Sequence, residues 1–531
     1  MISSKKIKVR ALYRTGFFAV FFLMCLFYQY RFILSERPGG LHRWRQTNCE
    51  SIALNYYMHG MKFFKPEVHN LISDGKTTGY SAAEFPLTYY LSAAIWKVTG
   101  IREGVARLIN ILFLLFGLYW FFKFCMRLLD FTWAMLATLI IFTSPVVVYY
   151  SCNFLTDAPA MSLALGSIYF IHDYYLDSNQ RSLYVFLLLS MLAGLLKVTT
   201  GLVFVSVFVM LLVESAKSSS APAPKLFRNH GKVLLLFLCV TVVIVAWYVY
   251  AYCFNSIHGG EFSSSNILPI WSFSLKDIGA IIKLFRQMVY YQVFSPCQTG
   301  LVLLLLALVL VKPRSSDRFL YKLTFLLFLG TLAYTLLWFG VWKDHDYYGL
   351  PWMLLFAIVP VTFLSSLKDR KPALYHSRVV LSVAVLFLLY NTWYAGNNIR
   401  ARYGIRSDRL TMTEQESGTW DYIAWDQHEV WDSFDNLESF NRSLGIRPDD
   451  KVVCLPDGST NTTLYLMNQP GWTAFMNSDM NNGIGMLEKI RLGAKYLVVY
   501  DPKILQNAGL APFIQRKIGT YKNISIYALG K

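Results

Sequence analysis

Long apolar runs recur along this sequence of 531 residues, and they limit what the chain can fold into. A helix needs about 20 mostly apolar residues to cross the hydrocarbon core of a bilayer. Eleven runs approach or exceed this length, three of them (between 157 and 214) only just: 13–34, 104–126, 131–151, 157–173, 183–197, 200–214, 233–253, 299–312, 320–341, 349–366 and 378–396. The pattern predicts a mainly α fold, a polytopic membrane bundle of about eleven transmembrane helices.

Composition and charge placement exclude two other classes of protein. Charged residues make up 15% of the chain, against about 25% in soluble globular proteins, so a typical cytosolic enzyme is excluded. The net charge of +18 arises in residues 1–399, which hold 35 basic and 17 acidic residues, whereas residues 400–531 hold 15 of each. Because this excess lies in short clusters between apolar runs, and not in a basic stripe with aromatic residues, nucleic-acid binding is not predicted.

The basic clusters also predict the orientation in the membrane. Five basic residues lie among the first 14 residues, and further clusters lie in the loops 215–232, 312–322 and 367–378. Short cytoplasmic loops collect Lys and Arg, and with eleven spans all four clusters fall on one side. The N-terminus is therefore predicted to be cytoplasmic and the C-terminus extracytoplasmic. The first run is too long for the core of a signal peptide and has no Ala-x-Ala site, which predicts a retained helix.

Two domains follow from this layout. Residues 1–397 are predicted to form the membrane domain, with a long outer loop, 35–103, whose helical periodicity indicates interfacial helices. Residues 398–531 are predicted to form a small extracytoplasmic α/β domain, because Lys451-Val-Val-Cys-Leu and Lys495-Tyr-Leu-Val-Val-Tyr resemble buried strands that follow helical segments.

Polar residues gather on the predicted outer face. Ionisable residues in or beside membrane spans are expensive, so each is a candidate for function. Five segments, far apart in sequence, supply them: His42, Arg45 and Gln46; Glu84; Asp157; Lys197; and Lys343, His345, Tyr347 and Tyr348.

Each of these residues also has a purely structural interpretation. Arg45 would be an interface cation, Glu84 and Asp157 would cap helices, Lys197 would anchor a helix end, and His345 would be a solvated loop residue. Five such segments on one membrane face are harder to explain in this way than any one alone.

The mixture of cations and carboxylates suits one kind of chemistry. A lipid-phosphate leaving group needs positive charge at the membrane surface, which Arg45, Lys197, Lys343 and His345 would supply. An attacking hydroxyl needs a carboxylate base within hydrogen-bond reach, and Glu84 and Asp157 are the candidates.

Three short motifs strengthen this interpretation. They are Glu84-Phe-Pro-Leu-x-x-Tyr-Leu, Thr156-Asp-Ala-Pro and His345-Asp-Tyr-Tyr-x-Leu-Pro. In this order, after a first span and a long outer loop, they resemble the GT-C superfamily of integral-membrane glycosyltransferases. The similarity is to the bacterial branch near the protein O-mannosyltransferases and lipid A aminoarabinose transferase (glycosyltransferase family 39-like), and it covers residues 13–395 well.

The resemblance implies an activity and a set of roles. It implies sugar transfer, with inversion, from a polyprenyl-phosphate donor to an acceptor on the outer face. Glu84 matches the loop glutamate of the family, and Asp157 matches the aspartate at the start of a helix. His345, Tyr347 and Tyr348 match the motif of the late loop. The implied partners are the lipid-linked donor, an acceptor of unspecified kind and the membrane lipids.

One departure from the family pattern bears on catalysis. Many members carry Asp-Glu in the first loop, where this chain has Arg45-Gln46, with Ala53 in register. A subset with a His-x-Trp-Arg-Gln motif shares this form. The base would then be Glu84, Asp157 or Glu50, and an arginine in this position would bind phosphate directly and reduce the need for a divalent cation. Loss of activity is the alternative.

Two rival functions remain open at this stage. A transporter or flippase of lipid-linked sugars would show repeats and binding residues at the bilayer midplane, and neither is visible here. A non-catalytic GT-C-like assembly protein is favoured only by the missing Asp-Glu pair. The motifs, and the lack of a disulfide framework, predict a bacterial inner membrane.

Overall fold

The structure, a computed structural model, describes residues 2–216, 227, 229–260, 267–311, 317–405 and 409–530. Helices make up most of the chain up to residue 405. The α-helices there are Ile2–Phe27, Tyr30–Ile33, Arg43–Met58, Leu87–Thr99, Gly104–Leu128, Phe131–Leu139, Pro145–Ser151, Asp157–Asp177, Gln180–Leu196, Leu202–Ala216, His230–His258, Leu275–Met288, Pro296–Val311, Arg318–Leu337, Met353–Arg370, Pro372–Tyr375 and Arg378–Arg402.

Several of these helices are long and apolar enough to cross a membrane. Within the described residues, six pass by length and composition: Gly104–Leu128, Val198–Ala216, His230–His258, Arg318–Leu337, Asp346–Arg370 and Arg378–Arg402. A bent pair, Leu275–Val293 with Pro296–Val311, passes the same test only when its two helices are taken together, and Ala11–Phe27 and Gln180–Leu196 are shorter apolar helices. The chain is therefore an integral multi-pass membrane protein, but the predicted count of eleven spans is not confirmed.

Two of the predicted spans are broken. The run 131–151 is not one helix, because a 3₁₀ turn at Ile141–Thr143 separates Phe131–Leu139 from Pro145–Ser151. Proline has no N–H to continue a helix and fits its first turn, so Pro145 starts a new helix here. The first run is interrupted at Gln29, whose φ of 64° lies in the left-handed region.

One helix was missed by the sequence analysis, since it lies between the predicted spans 233–253 and 299–312. Leu275–Met288 is strongly amphipathic and begins at Ser274, whose side chain accepts from the N–H of Asp277. It bends by 102° into the apolar helix Pro296–Val311. An amphipathic helix nearly perpendicular to a spanning helix lies in the plane of the membrane surface. We call Leu275–Met288 the interfacial helix.

A close helix contact fixes the position of Asp157. The helix Asp157–Asp177 packs along Gly104–Leu128, and a side chain at Gly117 would place its Cβ 2.3 Å from the carbonyl oxygen of Ser162. Small residues at such crossings let helix backbones approach closely within a membrane. Glycine at 117 therefore sets the depth at which Asp157 begins its helix.

The outer loop, 35–103, contains helices as expected. They are Arg43–Met58 and Leu87–Thr99, and the chain between them forms short bridges, such as Glu67 with Tyr80. The helix Arg43–Met58 is buried along most of its length, since it is covered by the membrane domain and the tail.

The tail, residues 409–530, has the predicted α/β character. Its helices are Glu414–Glu429, Leu437–Ser443, Thr462–Leu466 and Met486–Arg491. Its strands are β1 (Lys451–Leu455), β2 (Gly471–Trp472), β3 (Ala494–Val499), β4 (Lys517–Tyr521) and β5 (Ile524–Ala528), in the order β2-β1-β3-β5-β4. β1 is parallel to β2 and β3, whereas β3–β5 and β5–β4 are antiparallel.

The outer loop extends this sheet at its β2 edge. Asn70 forms a parallel bridge with Gly471. The N–H of Leu71 donates to the Gly471 carbonyl at 2.8 Å, and the N–H of Gly471 donates to the His69 carbonyl at 3.1 Å. The amide of Asn70 also donates to the Thr460 carbonyl. Covering an open strand edge in this way satisfies its backbone groups, so the loop and the tail are built as one unit.

Some residues of the predicted cytoplasmic loops lie outside the described part of the chain. Among the basic ones these are Lys217, Lys225, Arg228, Lys312 and Arg314. The helix Arg378–Arg402 runs across the predicted domain boundary at 397.

A buried arginine joins the outer loop to the tail and gives a stability prediction. Arg43 is 7% exposed, donates to Asp426 at 3.0 Å and to Gln427 at 3.1 Å, and lies over the ring of Trp431. We expect Arg43→Ala to lower the free energy of unfolding by about 2 kcal/mol, because charged hydrogen bonds are lost from a buried site. Denaturant titration of the purified protein in detergent measures this.

Lys76→Ala is the matched control, since Lys76 pairs with Glu488 across the same seam but both side chains are nearly half exposed. Such a pair is worth less than about 1 kcal/mol. Equal losses in the two variants would contradict the role given to Arg43.

Candidate active site

Four charged side chains from distant segments meet in one cluster. Arg45 forms an ion pair with Oε1 of Glu84, and Lys197 Nζ lies 3.5 Å from the same oxygen. Lys197 Nζ also lies 3.1 Å from Oδ1 of Asp157. We call Arg45, Glu84, Lys197 and Asp157 the ion cluster. It contains two cations and two carboxylates, so its charges balance.

Backbone contacts hold Glu84 in place. The N–H of Phe85 donates to the Leu195 carbonyl at 3.1 Å, and the indole N–H of Trp247 donates to the Ala83 carbonyl at 3.1 Å. Asn255 bonds to both backbone groups of Ala82. The chain before Glu84 is thus tied to the helix His230–His258, and the chain after it to the end of Gln180–Leu196.

Lys197 lies at a break between two helices. Gln180–Leu196 ends just before it, and a 3₁₀ turn at Val198–Gly201 follows. Its ammonium group faces the rings of Tyr347 and Tyr348 at 5.5 and 5.1 Å, distances suited to cation–π attraction. Asp157, in the first turn of its helix, is favoured there by the helix dipole.

Two histidine rings stack next to the ion cluster. His42 and His345 are nearly parallel, with centroids 5.3 Å apart, and Tyr347 packs edge-on against both. We call His42 and His345 the histidine pair. Because Tyr347 also contacts Lys197, it connects the histidine pair to the ion cluster.

A buried aspartate positions the histidine pair. Asp346 Oδ1 lies 3.2 Å from Nε2 of His42 and accepts from the hydroxyl of Tyr150, while its Oδ2 accepts from Arg402 at 2.8 Å. Asp346 and Arg402 are 1% and 0% exposed in their side chains, so this is a fully buried ion pair. Such a pair is strongly destabilised when one partner is removed.

The sequence analysis missed Asp346, Arg402 and Tyr150. Asp346 lies inside the quoted His-Asp-Tyr-Tyr motif, so its neighbours gave a signal for it. Nothing in the sequence pairs it with Arg402, which ends a helix 56 residues later, or with Tyr150.

Two of the predicted site residues lie elsewhere. Lys343 is half exposed and lies 3.8 Å from Asp344, not in the ion cluster. Gln46 donates to the carbonyls of Gly39 and Leu41 at 2.7 and 2.8 Å. It therefore holds the backbone just before His42.

Glu50, the third candidate base, is buried away from the ion cluster. Burial, and then repulsion from Glu103, raises the pKa of the Glu50 carboxyl well above its ordinary value. Its charged neighbours are Glu103 and Arg107.

The two cations of the cluster lower the pKa of the Glu84 carboxyl. Burial alone would raise the pKa of its carboxyl, but attraction to Arg45 and Lys197 outweighs burial and lowers the pKa to about 2. For His345, burial and then repulsion from His42 lower the pKa to about 4. At pH 7 the site therefore holds an ionised Glu84 and a neutral His345.

Several polar atoms of the site have no hydrogen-bond partner among the described residues. They are Oε2 of Glu84, Oδ2 of Asp157 and Nδ1 of His345, all buried. Buried polar atoms are normally satisfied, and exceptions are common at functional sites. In the part of the chain that is described, no three His, Cys, Asp or Glu side chains are grouped so that they could hold a metal ion.

Comparisons with known proteins agree with this fold. Residues 83–247, which include Glu84, Asp157 and Lys197, match the family model described as dolichyl-phosphate-mannose-protein mannosyltransferase. No curated protein sequence gives a significant match. The crystal structure of ArnT from Cupriavidus metallidurans in the apo state matches with a TM-score of 0.54 and 14% identity, over 97% of this chain and 98% of ArnT. The chain has an ArnT-like GT-C fold.

Two further structures share this GT-C fold. The crystal structure of the same ArnT bound to undecaprenyl phosphate gives a TM-score of 0.55 at 14% identity, again over 97% and 98% of the two chains. The arabinofuranosyltransferase AftD from Mycobacteria gives 0.52 at 12% identity, over 98% of this chain and 40% of its own. The resemblance to the GT-C superfamily predicted from the sequence is therefore confirmed.

The low pKa of Glu84 gives a pH prediction. Its folded-state pKa of about 2 is below the ordinary 4.5, so its stabilising effect is complete above pH 4.5 and is lost as the pH falls towards 2. We expect wild type to exceed Glu84→Gln in unfolding free energy by about 3 kcal/mol at pH 7. Denaturant titrations of both proteins between pH 7 and pH 3 measure the difference, which should shrink below pH 4.5. A difference that is constant with pH would contradict the ion pairing.

Proposed function

We propose that this chain is a membrane glycosyltransferase that moves a sugar from a polyprenyl-phosphate donor to an acceptor on the extracytoplasmic face, with inversion. The observation that carries the proposal is the ion cluster, two cations interleaved with two carboxylates within a GT-C fold. The match to a mannosyltransferase family model and the ArnT structure that holds undecaprenyl phosphate support the choice of donor.

The cations of the cluster would bind the donor phosphate. Arg45 and Lys197 are held by carboxylates, and a phosphate offers each of them a stronger, charge-assisted partner. Arg45 can bind two phosphate oxygens at once through its planar guanidinium. This explains how a chain with arginine in place of the usual first-loop aspartate can still bind and polarise a phosphate leaving group.

The transfer step then follows with its charges and atoms balanced. The acceptor hydroxyl attacks the anomeric carbon, and the new C–O bond forms as the bond to the phosphate oxygen breaks. The bonding electrons leave with polyprenyl phosphate, whose charge Arg45 and Lys197 stabilise. The hydroxyl proton passes to a carboxylate of the cluster.

Glu84 is the preferred acceptor of that proton, and Asp157 the second choice. With both cations on Glu84, its pKa of about 2 makes it a weak base. When the donor phosphate takes Arg45 and Lys197, the attraction that lowers this pKa is removed and the carboxylate becomes more basic. Donor binding would thus activate the base, and His345 with Tyr347 would position the sugar or the acceptor.

The proposed membrane placement follows from the basic clusters. The N-terminus lies in the cytoplasm and the tail outside, in a bacterial inner membrane, so the ion cluster faces the extracytoplasmic side. A transporter of lipid-linked sugars and a non-catalytic assembly protein are the rival functions, and both would bind the donor without releasing polyprenyl phosphate.

The test is release of free polyprenyl phosphate from a panel of polyprenyl-phosphate sugars, with an envelope extract as the acceptor. We expect one donor to be turned over by wild type. Glu84→Gln should reduce its rate by about 10²–10⁴-fold, the usual contribution of a general base.

Glu67→Gln is the matched control, because Glu67 lies in the same outer loop but pairs with His59. It should keep the wild-type rate. Donor binding without release in wild type would favour a rival function, and a wild-type rate in Glu84→Gln would transfer the role of base to Asp157.

A further inference from the structure

A polar chamber lies between the interfacial helix and the first helix of the tail. Its volume is about 610 Å³, and its walls include Lys283, Arg286 and Tyr290 on one side and Glu416 and Trp420 on the other. It is distinct from the ion cluster, since none of the four cluster residues lines it.

An apolar groove continues from this chamber. Its volume is about 470 Å³, and it runs between the interfacial helix and the helices Pro296–Val311, Arg318–Leu337 and Met353–Arg370. The chamber and the groove share Arg286 and Tyr290. A polar space thus lies next to an apolar one, with Arg286 and Tyr290 between them.

The position of the interfacial helix places the two spaces in the membrane. Because this helix lies nearly perpendicular to Pro296–Val311, it runs along the membrane surface. The chamber, on its tail side, then lies at the level of the lipid headgroups, and the groove lies among the hydrocarbon chains. The two spaces together have the polarity profile of one lipid molecule.

The charges at the junction suit an anion. Lys283 and Arg286 are exposed, one turn apart, and form no salt bridge with any described residue. Across the chamber Glu416 is buried, and burial raises the pKa of its carboxyl. A cation at this depth contributes about 1 kcal/mol to the binding of an anionic lipid.

Two buried polar atoms on the tail side point to a headgroup with hydroxyls. Oε1 of Glu416 and the indole N–H of Trp420 have no hydrogen-bond partner among the described residues, and their side chains are 7% and 2% exposed. One is an acceptor and the other a donor. A polyol headgroup can satisfy both, since each hydroxyl donates and accepts.

We propose that the chamber and the groove together bind one anionic glycerophospholipid of the bilayer, with its phosphate at Lys283 and Arg286, its hydroxyl-bearing headgroup towards Glu416 and Trp420, and one acyl chain in the groove.

The size of the groove distinguishes this lipid from the polyprenyl donor. A methylene group occupies close to the volume of a liquid water molecule, roughly 30 Å³, so the groove holds on the order of 16 carbons. That is the length of one acyl chain, and a polyprenyl chain is several times longer. The groove therefore fits a glycerophospholipid better than a second donor.

The bound lipid would lie against the support of the histidine pair. The inner wall of the chamber includes Tyr291 and Gln292. Their carbonyls accept from Asn398 at 3.3 Å and from Arg402 at 3.2 Å, and Arg402 holds Asp346. An anionic lipid in the chamber would thus brace the segment that carries Arg402.

The test measures lipid binding, so it needs no turnover and is independent of the proposed function. The full chain is placed in nanodiscs of phosphatidylcholine with increasing phosphatidylglycerol, then released and examined by native mass spectrometry. We expect wild type to retain one phosphatidylglycerol. The double variant Lys283→Ala/Arg286→Ala should bind it about thirtyfold more weakly, from two lost cations.

Two controls keep the test specific. Lys276→Ala removes an exposed cation of the same helix that lines neither space, and it should bind like wild type. Thr331→Trp fills the groove and should also release the lipid, whereas Leu329→Trp, on an exposed part of the same helix outside the groove, should not.

Two results would overturn the proposal. The first is equal retention of phosphatidylglycerol by wild type and the double variant. The second is an equal loss of phosphatidylglycerol in the Lys276→Ala control and in the double variant.

Discussion

A buried lysine between two carboxylates is the interaction on which the site depends. Lys197 lies at the end of an apolar helix with its side chain only 12% exposed, and a charge in that position is costly unless it is paired. Its partners come from two separate segments, the outer loop for Glu84 and the start of a membrane helix for Asp157. The need to pair this one charge brings those segments together.

The balance of charges in the cluster has a functional consequence. The charges of two cations and two carboxylates cancel, so each buried charge of the cluster has a partner. The cluster still holds the cations that could bind a phosphate ester. Fixed charges placed in advance cost no reorganisation during the reaction, which is why such sites favour charge development in a transition state. The second network, Asp346 with Arg402 and Tyr150, positions the histidine pair beside them.

The outer loop and the tail form one continuous layer on the membrane bundle. The loop forms a bridge with the tail sheet at Gly471. Arg43, in the first helix of the loop, forms an ion pair with the tail helix Glu414–Glu429. That same tail helix forms one wall of the polar chamber. The candidate catalytic groups on the loop and the proposed lipid on the tail side are thus attached to the same layer.

The sequence by itself determined the fold class, the α/β tail and most of the site residues. Hydrophobic run length fixes which segments enter a membrane, and the cost of placing ionisable residues there marks Glu84, Asp157 and Lys197 for function. Run length alone did not show the break at Pro145, which arises from the missing N–H of proline, or the interfacial helix Leu275–Met288, whose polar residues interrupt any apolar run.

Only the tertiary structure decided which charges meet. The sequence offered Lys343, Gln46 and Glu50 on the same terms as Arg45, and it could not join Asp346 to Arg402. Ion pairs between segments far apart in the chain depend on packing, and sequence spacing carries no information on it. The partners of each charge, and with them the pKa of Glu84, exist only once the helices are assembled.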